Sequence, residues 1–251
     1  MEELPTEPRG LFWQDDFITA EHEARLIDIF RHELEWPTDR GTGRLSLHYG
    51  YTFDYKTFGV DPAVPFRAFP EWLRPLIPTR EGRDPDQVCL QHYPPGAGIP
   101  PHVDTHSAYD QLYALSLGSG VVMQFSRVRA KTAKSGEGEG EGAENEGEEK
   151  ETVEVDLTPR SMLQMSGDSR LHWTHGIRKR KTDTLKDGTV RRREDRWSIT
   201  YRWVREPAVC ECGDVRLCDT AQRRAGIERE YRWKKGDAEG EEKGEEGVKE
   251  G

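Results

Sequence analysis

The sequence predicts an α+β fold: a double-stranded β-helix, or jelly roll, backed by N-terminal helices. Three observations predict it. Helical periodicity is confined to the stretch before Asp86. After Asp86 come eight short strand-like runs separated by Gly/Pro-rich turns. His and Asp residues with metal-ligand spacing then fall on two of those runs, as the open end of a two-sheet roll allows.

Taken in order, residues 11–19 form a short entry strand. Thr19 can cap a helix whose first turn is favoured by Glu21 and Glu23. Ala24, Ile27, Ile29, Phe30 and Leu34 make its apolar face, to about Trp36-Pro37. Arg44 to Tyr55 alternates like a hairpin rich in Tyr and His. A second helix is expected from Phe66 to Leu76, despite its prolines. Strands are expected at 88–93, 99–104, 113–117, 121–126, 152–157, 161–165, 173–176 and 196–204. No internal repeat is visible.

At 251 residues the chain is one domain or slightly more, long enough to bury a core. The net charge of −10 is uneven. Residues 134–150 hold seven Glu and two Lys, and residues 236–251 hold six Glu, one Asp and two Lys. Each tract contributes −5, so the remainder is formally neutral. Such Gly/Glu-rich segments cannot bury enough apolar surface to offset their ordering entropy. The expected organisation is a domain over 1–220, with a disordered acidic insertion at about 130–151, and an extension over 221–251 with an acidic tail. The acidic N-terminus is unlike a secretory signal, and no stretch approaches the ~20 apolar residues of a membrane span. A protein of the cytosol or nucleus, with no membrane partner, is expected.

His102-Val103-Asp104 is the most informative motif. On an extended segment both side chains project to one face. A second, distant imidazole would complete a two-His, one-carboxylate metal set with open positions for O₂ and a cosubstrate. Trp173-Thr-His175-Gly-Ile177 supplies it, with His172 as the competitor. Further on, Arg196, Ser198, Thr200 and Arg202 alternate with Trp197, Ile199 and Tyr201. That period puts two guanidiniums and two hydroxyls on one face and three apolar groups on the other. A guanidinium on an inward face is costly unless it meets an anion, and its fork suits a dicarboxylate.

The order His-x-Asp, His, Arg-x-Ser-x-Thr-x-Arg resembles the AlkB family of Fe(II)/2-oxoglutarate dioxygenases, which usually has Asn where Ser198 stands. His48-Tyr-Gly-Tyr-Thr-Phe-Asp-Tyr55, Gly98-Ile-Pro-Pro-His-Val-Asp-Thr-His-Ser-Ala108, Leu115-Ser-Leu-Gly-Ser119 and Trp173-Thr-His-Gly-Ile177 resemble its tRNA wobble-uridine hydroxylase branch. The likeness runs from about residue 10 to about 220. It implies iron at His102, Asp104 and His175. It also implies 2-oxoglutarate held by Arg196 with Thr200 and Tyr93, with Arg202 and Gln91 near the chelating end and Ser198 on the same wall. The reaction would consume O₂ and 2-oxoglutarate and hydroxylate the 5-methoxycarbonylmethyl group of wobble uridine. Oxidative demethylation of RNA or DNA bases, a protein-demethylating activity and a non-catalytic 2-oxoglutarate-binding RNA adaptor are the alternatives. Larger members of the branch carry an RNA-recognition and a methyltransferase domain. Neither shows in this sequence, which leaves room for a separate tRNA methyltransferase as partner.

Cys210-Glu-Cys212, then Cys218, are three of four cysteines. In an intracellular protein such spacing favours metal over disulfide, and structural zinc wants four ligands. His106 is the fourth candidate, as the resemblance also implies. Cys89, within Val-Cys-Leu, is expected in the core. Arg178-Lys179-Arg-Lys181 and Arg191-Arg192-Arg193 form basic clusters that suit an RNA phosphate track. Tyr49, Tyr51, Phe53 and Tyr55 are the candidate aromatic pocket for an everted base. A largely single-stranded anticodon loop would need little base flipping.

Overall fold

The computed structural model describes residues 1–37, 43–54, 59–130 and 148–227. The chain opens with β1 (Glu2–Glu3) and β2 (Leu11–Gln14), then helix α1 (Ala20–His32). β3 (Leu45–Gly50), the short pair β4 (Phe53–Asp54) and β5 (Gly59–Val60), and a 3-10 turn at Arg74–Leu76 follow. Next come β6 (Gln87–Tyr93), β7 (Ile99–His102), β8 (Ala108–Gly118) and β9 (Val121–Ala130). β10 (Glu148–Leu157), β11 (Met162–Met165), the one-turn helix α2 (Asp168–Leu171) and β12 (Thr174–Ile177) lead to β13 (Thr182–Thr184) and β14 (Val190–Arg192). β15 (Arg196–Val204) is the last strand and α3 (Asp219–Arg224) the last helix.

The strands make the expected jelly roll. A seven-stranded sheet has the order β1-β2-β11-β8-β15-β6-β3, and a four-stranded sheet has the order β10-β9-β12-β7. Side chains alternate across the large sheet, so it has two distinct faces. Trp197, Ile199 and Tyr201 join Val88, Leu90, Leu115 and Leu117 under Leu26 and Phe30 of α1. The other face meets the small sheet across Leu112, Met123, Phe125, Leu163, Met165 and Trp173. Arg196, Ser198 and Thr200 are buried on β15, of which Trp197, Ile199 and Tyr201 fill the helix-side core. The alternation read from the sequence is therefore the real one.

The helical expectations hold in part. Thr19 caps α1, its hydroxyl accepting from His22 N–H at 3.2 Å. The helix ends at His32 rather than near Trp36. The Trp36 indole instead folds back and donates to the Phe30 carbonyl at 2.7 Å, satisfying a helix-end acceptor. The expected second helix over 66–76 reduces to the 3-10 turn at Arg74–Leu76. Pro70 and Pro75 remove amide donors that an α-helix there would need. The segment still packs Phe69, Leu73 and Leu76 into the core.

The expected hairpin over 44–55 is also corrected. β3 pairs with β6 in the large sheet, and β4 pairs with β5. The acidic insertion is narrower than 130–151. β9 and β10 pair in register out to Glu148↔Ala130, so 148–151 belong to a strand. The rest of that insertion, Tyr55 and the acidic tail lie outside the described residues. The expected boundary at 220 falls inside α3, where Ala221 and Gln222 are buried. Among the described residues, no helix is long and apolar enough to cross a membrane.

Candidate active site

Neighbouring strands of the small sheet, β7 and β12, bring the three expected metal ligands together, with Asp104 in the loop after β7. His102 ends β7, and β12 places His175 directly opposite it. One ligand atom from each of His102, Asp104 and His175 lies within 4.8 Å of the others. The two imidazole centroids are 4.4 Å apart. Glycines permit this closeness: a Cβ on Gly176 would meet the Pro101 nitrogen at 2.9 Å, and one on Gly98 the Ile177 carbonyl at 2.3 Å. The backbone carbonyl of Pro100 lies 2.9 Å from His102 Nδ1. A carbonyl only accepts, so Nδ1 carries the proton and Nε2 is the lone-pair nitrogen left for a metal.

Charge prepares the set for a cation. Burial opposes ionisation of Asp104, but Arg202, His175, His102 and Arg170 outweigh it and hold the carboxyl well below the usual range. Arg202 Nε and Nη2 both donate to Asp104 Oδ1, at 3.0 and 2.6 Å. Asp104 Oδ2 faces His175 Nε2 at 3.4 Å. Burial, with His102 beside it, lowers His175 to about 3, so it is a neutral donor at physiological pH. Arg170 was not singled out from the sequence. It is buried, and donates to the Asp104 carbonyl at 3.0 Å and the Thr105 carbonyl at 2.6 Å, clamping the loop after His102. Nothing local in Asp-Ser-Arg-Leu marks that role.

The polar wall expected on β15 is present. On β15, Arg196 sits opposite Tyr93 and Ser198 opposite Gln91 on β6, while Ser198 faces Ser116 on β8. Arg196 is 4 % exposed, its guanidinium 5.1 Å from the Tyr93 ring centroid. Its Nη2 donates to Ser116 Oγ at 3.0 Å, while its buried Nε has no partner among the described residues. Burial lowers its pKa, the mark of a cation lacking a counter-charge. The Tyr93 hydroxyl donates to Gln91 Oε1 at 2.6 Å. An orphaned guanidinium donor beside hydroxyls is what a dicarboxylate would complete. Cys89 is buried as expected, and its register with Thr200 places it on this same wall.

His172 is not on a strand; it follows α2, and its Nδ1 meets Asp214 Oδ2 at 3.0 Å. It is no rival to His175. His92 faces away, stacked on Trp197 at 4.9 Å and bonded to Asp195.

A second cluster lies two residues beyond Asp104. Ligand atoms of His106, Cys210, Cys212 and Cys218 fall within 4.8 Å of one another. Burial pushes the Cys212 thiol up to about 12, with Cys210 and Cys218 adding to the crowding. The carboxylate of Asp219 on α3 accepts from the His106 amide at 3.2 Å and from the Thr105 hydroxyl. Three thiols and one imidazole, tied to the C-terminal segment, make a donor set fit for tetrahedral zinc.

The expected RNA contacts divide. Arg178, Lys179, Lys181 and Arg192 are exposed. Arg191 is taken up by Asp156 at 3.0 Å, and Arg193 is buried against Asp183 at 2.7 and 2.8 Å. These pairs hold the β13–β14 hairpin rather than face solvent. Tyr49 is corrected: the register with Val88 turns it to the helix-side core, 5 % exposed beside Trp72. Tyr51, at 39 % exposure, remains available and stands 4.8 Å from Phe66, an aromatic not singled out from the sequence.

The 2OG-Fe(II) oxygenase superfamily model matches residues 10–202, a span that contains both the ligand set and the Arg wall. The chain belongs to that superfamily. It is a 2-oxoglutarate-dependent dioxygenase. It is 35% identical over 248 residues to the mouse (Mus musculus) tRNA (carboxymethyluridine(34)-5-O)-methyltransferase ALKBH8, covering 87% of this chain and 33% of that protein. It is 34% identical over 226 residues to the Arabidopsis thaliana alkylated DNA repair protein ALKBH8 homolog, covering 85% of this chain and 63% of that protein. It is 30% identical to protein L905 of Acanthamoeba polyphaga mimivirus, covering 75% of this chain and 82% of that protein. The oxygenase thus spans only part of the first two relatives. The solved structure of OsALKBH1 superposes with a TM-score of 0.50 at 15% identity, over 80% of this chain and all of that one, and shares the fold.

Proposed function

We propose that this oxygenase hydroxylates the 5-methoxycarbonylmethyl side chain of wobble uridine in tRNA. One observation carries the reading. A relative 35% identical over 87% of this chain is named for the carboxymethyl group of uridine 34. A methyl transfer has no use for a two-His, one-carboxylate set or a buried Arg196, whereas oxidation of the side-chain CH₂ does. Fe(II) held by His102, Asp104 and His175 would supply the O₂ chemistry that couples conversion of 2-oxoglutarate to succinate and CO₂ with hydroxylation of a substrate C–H bond.

The protein's own residues do the rest. Arg196, with Thr200 and the Tyr93 hydroxyl, holds the distal carboxylate of 2-oxoglutarate. Arg202 neutralises Asp104 and orients it. Tyr51 and the exposed Arg178, Lys179, Lys181 and Arg192 receive the RNA, the cations following its phosphates. Mass spectrometry of nucleosides from tRNA treated with the protein tests the reading. The expected product is the wobble nucleoside heavier by one oxygen, formed only with 2-oxoglutarate. A second reading, demethylation of N-alkylated bases, is favoured by the Arabidopsis relative named for alkylated DNA repair. Loss of N-methyl groups with unchanged wobble uridine would select it and overturn the first.

We further propose that the Cys210, Cys212, Cys218 and His106 cluster holds structural zinc. With no open position such a site ties the C-terminal segment to the loop bearing Asp104. Cys212→Ser is expected to lower the melting temperature and reduce turnover, without changing the modified base. Elemental analysis after mild iron chelation should find one zinc per chain. Three freely titratable thiols in the folded, zinc-free protein would contradict this.

A further inference from the structure

Gln87 begins β6, opposite Arg202 on β15 and Gly50 on β3. Its amide is used at both ends. Arg202 Nη1 donates to Gln87 Oε1 at 3.2 Å, and Gln87 Nε2 donates to the Tyr51 carbonyl at 3.2 Å. A carboxylate there would lack the donor, and an ammonium the acceptor. Arg202 Nε and Nη2 both converge on Asp104 Oδ1, and Oδ2 lies beside His175 Nε2. The turn at Tyr51 is itself pinned. Gly50 and Arg67 exchange backbone hydrogen bonds of 2.7 and 2.9 Å, which sets the exposed rings of Tyr51 and Phe66 side by side. Gly50 has a φ of +85°, and a Cβ there would meet the Asp86 carbonyl at 2.3 Å, so the turn sits directly on the start of β6.

We propose that Gln87 is a positioning residue linking this exposed aromatic turn to the metal's carboxylate. It orients Arg202 so that Oδ1 of Asp104 is occupied and Oδ2 is presented to the metal. The same amide passes the state of the Tyr51–Phe66 turn to that carboxylate. Coupling of this kind is reciprocal, so filling the metal site steadies the turn, and a base stacked on the turn steadies the ligand. The inference rests on the metal-site reading of His102, Asp104 and His175, and does not depend on which nucleic acid is the substrate.

Anaerobic Co(II) titration with 2-oxoglutarate present, read by visible absorption, tests one half. Amide hydrogen exchange over residues 51–53, with and without Co(II), tests the other. Gln87→Leu acts one step further out than the direct partners of metal ligands, whose loss costs ~10- to 100-fold, and is expected to weaken Co(II) binding by about threefold to tenfold. It should also abolish the Co(II)-induced slowing of exchange at the turn. Gln87→Glu keeps an acceptor for Arg202 and drops the donor to Tyr51. It should bind Co(II) nearly as wild type does, yet lose the slowing. Should Gln87→Leu not fold, the exchange result in Gln87→Glu decides. A folded Gln87→Leu that binds Co(II) as tightly as wild type, or a Gln87→Glu that keeps the slowing, overturns the proposal. No Co(II) uptake by the wild type would overturn the metal-site reading and this link with it, whereas normal uptake with unchanged variants overturns the link alone.

Discussion

Arg196→Ala raises the apparent KM for 2-oxoglutarate by roughly 10- to 150-fold, the equivalent of a lost hydrogen bond to a charged group worth about 1.5–3 kcal/mol. The guanidinium is buried and donates to Ser116, and its Nε has no partner among the described residues, which is why a ligand carboxylate is expected to complete it. Arg196→Lys keeps the charge but not the planar fork, and should recover only part of the loss. A further consequence separates binding from folding. Removing a buried cation that lacks a counter-charge does not cost stability, so ligand-free Arg196→Met should melt no lower than wild type. Steady-state kinetics against 2-oxoglutarate, with thermal melting of the ligand-free proteins, checks both parts. An unchanged KM in Arg196→Ala would remove Arg196 from the cosubstrate site.

Turnover falls to background when a metal ligand is lost. His102→Ala, Asp104→Ala and His175→Ala should each cost more than the ~10- to 100-fold typical of changes beyond the ligands themselves. His172→Ala should keep most of the activity, because His172 bonds to Asp214 and faces neither His102 nor Asp104. The comparison of His175 with His172 is the sharper one: the two lie three residues apart, and only His175 opposes His102 across β7 and β12. Full activity in His175→Ala would exclude it as a ligand.

Much of this arrangement was legible in the sequence, because strand alternation ties chemistry to geometry. Arg196, Ser198, Thr200 and Arg202 could face inward only if Trp197, Ile199 and Tyr201 faced the helix, and they do. His102, Asp104 and His175 carried ligand spacing, and the three cysteines with His106 carried a closed donor set. What stayed hidden depended on partners distant in sequence. Tyr49 looked like pocket lining, but its phase is set by pairing with Val88, which no local pattern reveals. The expected helix over 66–76 read apolar spacing correctly and underweighted Pro70 and Pro75. Arg191 and Arg193 looked like a basic rim until the fold brought Asp156 and Asp183 to them. Arg170 and Gln87 make their contacts to residues 36 to 115 positions away. Gly176 and Gly98 matter because β7 and β12 run so close, a fact of sheet packing rather than of composition.

We expect His102, Asp104 and His175, holding iron, and Arg196, holding 2-oxoglutarate, to work as one oxidising centre at the roll's open end. Succinate release from 2-oxoglutarate, measured with Fe(II), O₂ and tRNA, tests it most directly. Succinate formation should need 2-oxoglutarate, Fe(II) and O₂, rise with tRNA, and disappear in His175→Ala. Succinate formation that persists at the wild-type rate in His175→Ala, or its absence from the fully supplied wild-type protein, would contradict it.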